Sequence, residues 1–199
     1  MLTNLTQKLR TIFTTPSQTQ TEEVLTFQCN ICGHINKDVA LKTVKNREAQ
    51  SCQQCGSSLR MRSVIYALAV ELFGKGLILP DFPIDKNIKG VGMSDWEGYA
   101  DRLPDKIGYT NTFYHQKPKL DIVNIDVENK YDFIISSDVF EHIPPPISIA
   151  FNNAQRLLRP GGIFIFTVPY EKEGVTNEYF PDLFDFKIIT HNGKNFLFN

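Results

Sequence analysis

The sequence of 199 residues has no cysteine after residue 55, no long apolar run, and almost no net charge. Spanning a bilayer takes about 18 consecutive apolar residues, and the N-terminus also lacks an apolar segment followed by a small-residue cleavage site. We therefore expect neither a membrane protein nor a secreted one. With a formal net charge of −1, the chain also lacks the dense basic stripe of a dedicated nucleic-acid-binding protein.

The charge that is present is unevenly distributed. Residues 1–62 hold eight Lys and Arg against four Asp and Glu (+4), and the remainder holds thirteen against eighteen (−5). The front part is thus compatible with a polyanionic partner such as nucleic acid. Hydrophobic residues at 42% and aromatic residues at 12% indicate a globular protein with a core. This length accommodates one α/β domain and a small additional module.

All four cysteines form two Cys-x2-Cys pairs, and a glycine follows each pair directly; the cysteines are Cys29, Cys32, Cys52 and Cys55. This spacing predicts a zinc ribbon, because four thiolates can converge tetrahedrally on Zn²⁺. Free or disulfide-linked thiols and an iron–sulfur site are the alternatives. A four-thiolate zinc ion has no open coordination position, so its expected role is structural. Reduced thiols of this kind favour a cytoplasmic location.

Three segments are predicted along the chain. Residues 1–24 are a mobile leader that begins with a short helix around Leu5–Phe13, residues 25–58 are the zinc ribbon, and residues 59–199 are a Rossmann-like domain. A helix with Ser57–Ser58 as its N-cap opens this last segment and stops at glycine.

Predicted strands and helices alternate after residue 85, which favours a mostly parallel sheet with flanking helices. The predicted strands are Ile88–Met93, Tyr109–Tyr114, Leu120–Ile125, Tyr131–Ser136 and Gly162–Val168. The predicted helices are Trp96–Leu103 and Ile147–Leu158. Near the C-terminus, Asn192-Gly193 predicts a hairpin turn whose return arm is short. The closing strands of the sheet are therefore expected to be either a minimal version or a shortened one.

Residues 131–170, YDFIISSDVFEHIPPPISIAFNNAQRLLRPGGIFIFTVPY, carry a composite motif. An apolar strand leads to a Glu-His-x-Pro loop, a helix, a Leu-Arg-Pro-Gly-Gly turn, and a second apolar strand that ends before a proline. This stretch resembles the class I S-adenosylmethionine-dependent methyltransferases of the small-molecule type, and the resemblance extends over about residues 85–170. It implies a Rossmann-like fold with S-adenosylmethionine as cofactor.

The resemblance also implies a cofactor site beyond the carboxyl ends of the strands. Gly90 and Gly92 stand at the family's glycine-rich turn, which has more glycines in the family than here. Asp126 matches the acidic residue that contacts adenine, although a solvated loop aspartate is the alternative. The family's ribose-binding acid has no counterpart, and His115 or Asn111 could serve instead.

The loop after the fourth predicted strand concentrates the candidate chemistry. Ser137 and Asp138 are expected at the cofactor, and His142 is the candidate base that removes a proton from the methyl acceptor. Alternatively, the Glu141-His142 pair caps the following helix or packs beneath the cofactor.

Two functions follow from these patterns. The first is methyl transfer from S-adenosylmethionine to a small-molecule or glycan acceptor. The second is a degenerate, non-catalytic methyltransferase fold that serves as a binding module for nucleic acid or a protein partner.

Overall fold

The computed structural model describes residues 22–170, 173 and 187–198. The predicted helix around Leu5–Phe13, and nearly all of the predicted leader, lie outside the described residues. No helix in the described part of the chain is long and apolar enough to cross a membrane.

The ribbon begins with an antiparallel hairpin. Strand β1 (Val24–Gln28) pairs with β2 (Ile35–Ala40), and the short helix α1 (Leu41–Lys45) follows directly. The first cysteine pair lies in the turn between the two strands, which the backbone closes by a hydrogen bond of 2.8 Å from the Cys29 amide to the His34 carbonyl. The ribbon is therefore built around the turn that carries the first cysteine pair.

Helix α2 (Leu59–Phe73) connects the ribbon to the sheet. As predicted, Ser58 is the N-cap, and its hydroxyl accepts a hydrogen bond from the Met61 amide. The helix ends where Gly74 adopts a left-handed conformation with φ of 71°. Its buried residues recur at helical spacing and include Val64, Ile65, Leu68 and Ala69.

Four parallel strands form the central sheet: β3 (Asp85–Met93), β4 (Ile107–Thr112), β5 (Tyr131–Ser137) and β6 (Leu158–Thr167). Their spatial order is β4-β3-β5-β6. Helices α3 (Glu97–Ala100) and α4 (Leu103–Lys106) lie between β3 and β4, and α5 (Ser148–Leu157) lies between β5 and β6. The chain leaves β3 toward one side and returns to its other side as β5. The order therefore reverses between β3 and β5, where open α/β sheets bind ligands.

The core has two parts, one on each face of the sheet. On one face, Phe133 and Ile135 pack in a cluster with α2 and with Cys29, Ile31 and Cys52 of the ribbon. On the other face, the alternating residues of the strands pack against α5, in a cluster that contains Val91, Met93, Ile134, Ala150, Ala154 and Leu157. The ribbon thus shares a continuous core with the Rossmann-like domain through α2.

The predicted strand Leu120–Ile125 is wrong. Within this stretch the backbone turns at residues 122–124, and the one bridge nearby joins Phe113 to Lys119. The side chain of Asp121 accepts hydrogen bonds from the Val123 amide (3.0 Å) and from Asn124 Nδ2 (3.0 Å). Such local side-chain bonds give the backbone an alternative to strand pairing, which explains the error.

Two further predictions need adjustment. The predicted helix Trp96–Leu103 is divided into α3 and α4, and Pro104 occupies the first turn of the second helix, where its missing amide costs nothing. The predicted C-terminal hairpin is confirmed as β7 (Lys187–His191) and β8 (Lys194–Phe198), with positive φ at both Asn192 and Gly193. Among the described residues it forms a two-stranded sheet separate from the central one.

Candidate functional site

The four cysteines converge on one point. One ligand atom from each lies within 4.8 Å of the others, and the closest sulfur pairs are Cys29–Cys55 at 3.8 Å and Cys32–Cys52 at 3.7 Å. A zinc ion with four bonds of about 2.3 Å to sulfur requires sulfur–sulfur separations of about 3.8 Å. The residues present therefore fit a tetrahedral zinc ion, as the spacing predicts.

Among the four thiols, Cys52 is the one whose surroundings favour the thiolate form. Burial raises the pKa of Cys52, but hydrogen bonds from the Cys55 and Gln54 amides and from the Cys55 and Cys32 side chains together lower it to about 6. Burial raises the pKa of Cys32 and of Cys55. Both glycines that follow the cysteine pairs have positive φ, 80° at Gly33 and 72° at Gly56. This conformation turns backbone amides toward the sulfurs without steric strain.

Arg62 supplies a cation beside the four thiols. Its side chain is buried, donates to the Ser57 carbonyl (2.7 Å) and to Ser51 Oγ (2.8 Å), and lies 4.7 Å from the centre of the Phe27 ring. Burial lowers the pKa of Arg62, whereas the charges of the cysteines raise it. Four thiolates around Zn²⁺ carry a net charge of −2, and Arg62 offsets part of it.

A cleft of about 600 Å³ opens at the carboxyl ends of the parallel strands. The residues that line it include Met93 and Ser94 at the end of β3, residues 112–115 at the end of β4, and residues 120–124 in the following turn. The loop after β5 contributes Val139 and residues 142–146, and the remaining walls are Ile149 of α5 and Phe196 of β8. The cleft is mostly apolar and lies at the reversal of strand order, the position typical of ligand sites in this architecture.

His142, the predicted base, lines this cleft. Its side chain is 64% exposed, and its Nε2 lies 4.0 Å from Glu141 Oε1. The Glu141 carboxylate is largely buried, and its Oε2 atom has no hydrogen-bond partner among the described residues. The imidazole therefore stands at the solvent-facing side of the cleft beside a carboxylate.

His115, a candidate for ribose binding, also lines the cleft, whereas the other predicted cofactor residues are not among the described residues that do. Gly90 and Gly92 face the opposite side of the sheet. A Cβ atom at Gly90 would lie 1.9 Å from the Phe133 ring, and one at Gly92 would lie 2.0 Å from the Tyr109 hydroxyl. Core packing alone therefore demands glycine at both positions. Gly92, Asp126 and Asp138, which the family pattern places at the cofactor, are therefore not on the walls of this cleft.

Asp126 is exposed in the segment before β5, whereas Asp121 lies in the cleft. The two aspartates are five residues apart, and the family pattern pointed to Asp126. The sequence signal that could have pointed to Asp121 is its place between two apolar residues, Leu120 and Ile122.

Ser137 and Asp138 contact the ribbon side of the molecule. Asp138 pairs with two arginines: Arg47 Nη2 lies 2.6 Å from its Oδ1, and Arg60 Nε lies 3.1 Å from its Oδ2. Arg60 Nη1 also donates to Ser137 Oγ at 2.5 Å. Burial raises the pKa of Asp138, but the hydrogen bonds from Arg47 and Thr167 and the charges of both arginines lower it below its ordinary value.

A buried acid, Asp95, lies next to Gly92, and the sequence analysis did not single it out. Its Oδ2 atom accepts a hydrogen bond of 2.5 Å from the Tyr109 hydroxyl, and its Oδ1 atom has no partner among the described residues. Burial raises the pKa of Asp95 to about 7, although Tyr109, Tyr99 and the charge of Arg60 act in the opposite direction. Its main chain is held by Asn111, whose side-chain amide bonds both the amide and the carbonyl of Asp95.

Solved structures with a similar fold include two methyltransferase-related proteins. A protein from Galdieria sulphuraria, provisionally assigned as a sarcosine dimethylglycine methyltransferase, is 21% identical with a TM-score of 0.42, over 55% of this chain and 46% of that one. A complex of the Haloferax volcanii Trm112 methyltransferase activator with a provisionally assigned methyltransferase gives 20% identity and a TM-score of 0.35, over 45% of this chain and 49% of that one. The chain thus spans about half the length of each.

Comparison with curated proteins gives no match. A family model described as "Methyltransferase domain" matches residues 56–191, which is more than half of the chain. The match begins directly after Cys55, so the four cysteines precede it. It includes α2, all four parallel strands and every cleft-lining residue except Phe196. From residue 56 onward, the chain therefore belongs to the methyltransferase-domain family.

Proposed function

We propose that this protein transfers a methyl group from S-adenosylmethionine to a small-molecule or glycan acceptor, with zinc in a structural role. The observation that carries the proposal is the cleft at the reversal of strand order in a member of the methyltransferase-domain family. Its volume of about 600 Å³ falls within the range of small-molecule sites.

The lining of the cleft is suited to a nucleoside. Ile122, Val139 and Ile149 supply apolar walls on which a purine ring can pack, and Asp121 supplies the nearby carboxylate. We assign the adenine contact to this turn rather than to Asp126, because Asp121 is the aspartate in the cleft. His115 lines the cleft beside it and could hydrogen-bond ribose hydroxyls.

The side chain of Asn111, the other candidate for ribose, is already used. It holds the loop after β3 through its two hydrogen bonds to the Asp95 main chain, each 2.9 Å long. Of the two ribose candidates, His115 is therefore the one that we propose.

His142 is the proposed base. Bound S-adenosylmethionine supplies an electrophilic methyl group that an acceptor oxygen or nitrogen can displace from sulfur. The acceptor must lose its proton as this bond forms, and an imidazole can take up that proton near neutral pH. Because His142 is exposed at the cleft wall, it can reach an acceptor that arrives from solvent.

The ribbon offers less support for the alternative function of nucleic-acid binding. Of its basic residues between the two cysteine pairs, Lys42 forms an ion pair with Glu22 at 2.6 Å, and Arg47 is bound to Asp138. These charges are thus partly neutralised within the protein. A cytoplasmic location remains part of the proposal, since it suits four reduced thiols.

Calorimetric titration with S-adenosylmethionine and S-adenosylhomocysteine tests the cofactor assignment. The zinc-loaded wild-type protein should release or absorb heat and gain thermal stability. Substituting Ile149→Trp should abolish binding by filling the cleft, whereas Ile147→Trp should not, because Ile147 is exposed at the start of the same helix and does not line the cleft. Absence of heat and of any thermal shift with wild-type protein at millimolar ligand would reject the proposal.

A further inference from the structure

We propose that Arg47, a residue of the ribbon, positions the loop that forms one wall of the cleft. The consequence for cofactor binding rests on the function proposed above. The positioning itself does not, since it concerns the ligand-free protein.

Arg47 joins the ribbon to the ends of two central strands. Its Nη2 and Nη1 atoms donate to Asp138 Oδ1 (2.6 Å) and Oδ2 (3.0 Å), so the pair is bidentate. Nη2 also donates to the Val168 carbonyl at 3.2 Å. Asp138 directly follows β5 and Val168 directly follows β6. One guanidinium therefore holds both strand ends at the rim of the sheet.

The Asp138 backbone needs such restraint. Its φ is 56°, in the left-handed region that a residue with a side chain seldom adopts without support. The Asp138 amide donates to the Thr167 carbonyl at 3.0 Å, and Thr167 Oγ1 donates to Asp138 Oδ1 at 2.8 Å. Together with the arginines, these bonds fix the direction in which the chain leaves β5.

The cleft wall begins at the next residue. Val139 lines the cleft, and so do His142, Ile143 and residues 144–146. A change in the Asp138 backbone would therefore move the apolar wall and the proposed base together. The walls formed by β3 and α5 belong to the packed core and do not depend on Asp138, whereas the loop reaches that core through Phe140 and, in part, Val139 and Ile143.

The Arg47–Asp138 pair is well placed to exert this restraint. The two side chains are only 24% and 20% exposed, so solvent screens them less than a surface pair. Arg47 is itself held in place, because Asn46 Oδ1 accepts hydrogen bonds from the amides of Glu48 and Ala49 and so fixes the turn that carries it. Arg60 binds the same carboxylate from α2, and both arginines also contact Glu48. Arg60 additionally donates to Ser137, whereas Arg47 additionally donates to the Val168 carbonyl.

Hydrogen–deuterium exchange of the full-length, zinc-loaded protein without ligand tests the positioning. In Arg47→Gln, amides of residues 138–143 should exchange faster by about tenfold, as expected when a charge-assisted pair that restrains a local opening is lost. Amides of β3 and α5 should keep their wild-type rates, and zinc content should stay at one per chain. Lys42→Gln is the matched control, since it removes the ion pair with Glu22 on the same ribbon and should leave the loop unchanged.

Two further variants make the test specific. Asp138→Asn should accelerate the same amides at least as much, because it also removes the ion pair with Arg60. Adding Arg47→Gln to Asp138→Asn should have little further effect, because the Arg47–Asp138 ion pair is already lost. Arg47→Lys should restore part of the protection, since it keeps the charge but not the bidentate geometry. Unchanged exchange in Arg47→Gln would overturn the proposal, as would equal acceleration in β3 and α5, which would indicate general destabilisation.

Titration with S-adenosylhomocysteine then separates this proposal from the proposed function. If the wild-type protein binds it, Arg47→Gln should weaken binding by about tenfold while Lys42→Gln does not. Equal affinity of Arg47→Gln and wild type would overturn the link between loop and cofactor. No binding by the wild type would reject the proposed function, and the exchange rates would still decide whether Arg47 positions the loop.

Discussion

The substitution Asp95→Asn should change the free energy of unfolding in a pH-dependent way. The difference between variant and wild type should favour the variant more at pH 8 than at pH 5.5. Asp95 is 5% exposed, and its burial raises the pKa of the carboxyl from 3.8 to about 7 in the folded protein. The unfolded chain therefore releases this proton near pH 4, whereas the folded protein keeps it until near pH 7. Between these values the unfolded state binds fewer protons, so the free energy of unfolding falls as pH rises.

The magnitude follows from the two pKa values. Each pKa unit corresponds to about 1.4 kcal/mol, so the full cost of the ionised carboxylate above pH 7 is about 4 kcal/mol. About half of this cost is already present at pH 5.5. Wild type should therefore lose about 2 kcal/mol more than Asp95→Asn between pH 5.5 and pH 8. Asparagine keeps an oxygen that can accept the hydrogen bond from Tyr109.

Urea unfolding of both proteins, followed by circular dichroism at the two pH values, measures this difference. Zinc content is determined in parallel, since acid weakens thiolate binding in both proteins. Asp101→Asn, an exposed change a few residues further along, is the matched control. The reasoning would be refuted if the free energy of unfolding differed between wild type and variant by the same amount at pH 5.5 and pH 8. Asp95 would then have the same pKa in the folded and the unfolded protein.

Three other changes test separate parts of the structure. Cys52→Ser should lower the zinc content, measured by mass spectrometry, from one per chain toward zero. It should also destabilise α2, because Cys52 belongs to the core cluster of that helix. Stoichiometric zinc in this variant would contradict the four-cysteine site. Gly92→Ala should destabilise the fold by about 1–3 kcal/mol in urea unfolding, since its Cβ would collide with Tyr109 and Asp95. Gly76→Ala, whose Cβ meets only the exposed Tyr66 ring, should cost less. His142→Ala should leave the affinity for S-adenosylhomocysteine unchanged but lower methyl transfer to an accepted substrate by about 100-fold or more; equal turnover would exclude His142 as the base.

The four-cysteine cluster could be predicted from the sequence, because residues close together in the chain specify it. Two Cys-x2-Cys pairs, each with a following glycine, fix ligand type, number and turn geometry within a few residues. The parallel sheet and α5 could also be predicted from the sequence, since apolar strands and the Leu-Arg-Pro-Gly-Gly turn have recognisable sequence patterns. The hairpin at Asn192-Gly193 is a further case in which the turn residues define the structure.

The composition of the cleft was decided by tertiary structure. The sequence pattern placed Gly90 and Gly92 at the cofactor, but the pleat of β3 turns both toward Phe133, Tyr109 and Asp95. Likewise, Asp121 rather than Asp126 reaches the cleft, because a turn held by its own carboxylate replaces the predicted strand. Which face a strand residue points to depends on register, and register depends on the neighbouring strands.

The contact between the ribbon and the loop after β5 could not be predicted from the sequence. Arg47 and Asp138 are 91 residues apart, and neither charge is unusual in its local context. They meet because α2 packs the ribbon against the sheet on the face opposite α5, which brings residue 47 to the ends of β5 and β6. The sequence by itself determined the four-cysteine cluster and most of the succession of strands and helices along the chain. The pairing of Asp138 with the ribbon depends on long-range packing that no local pattern encodes.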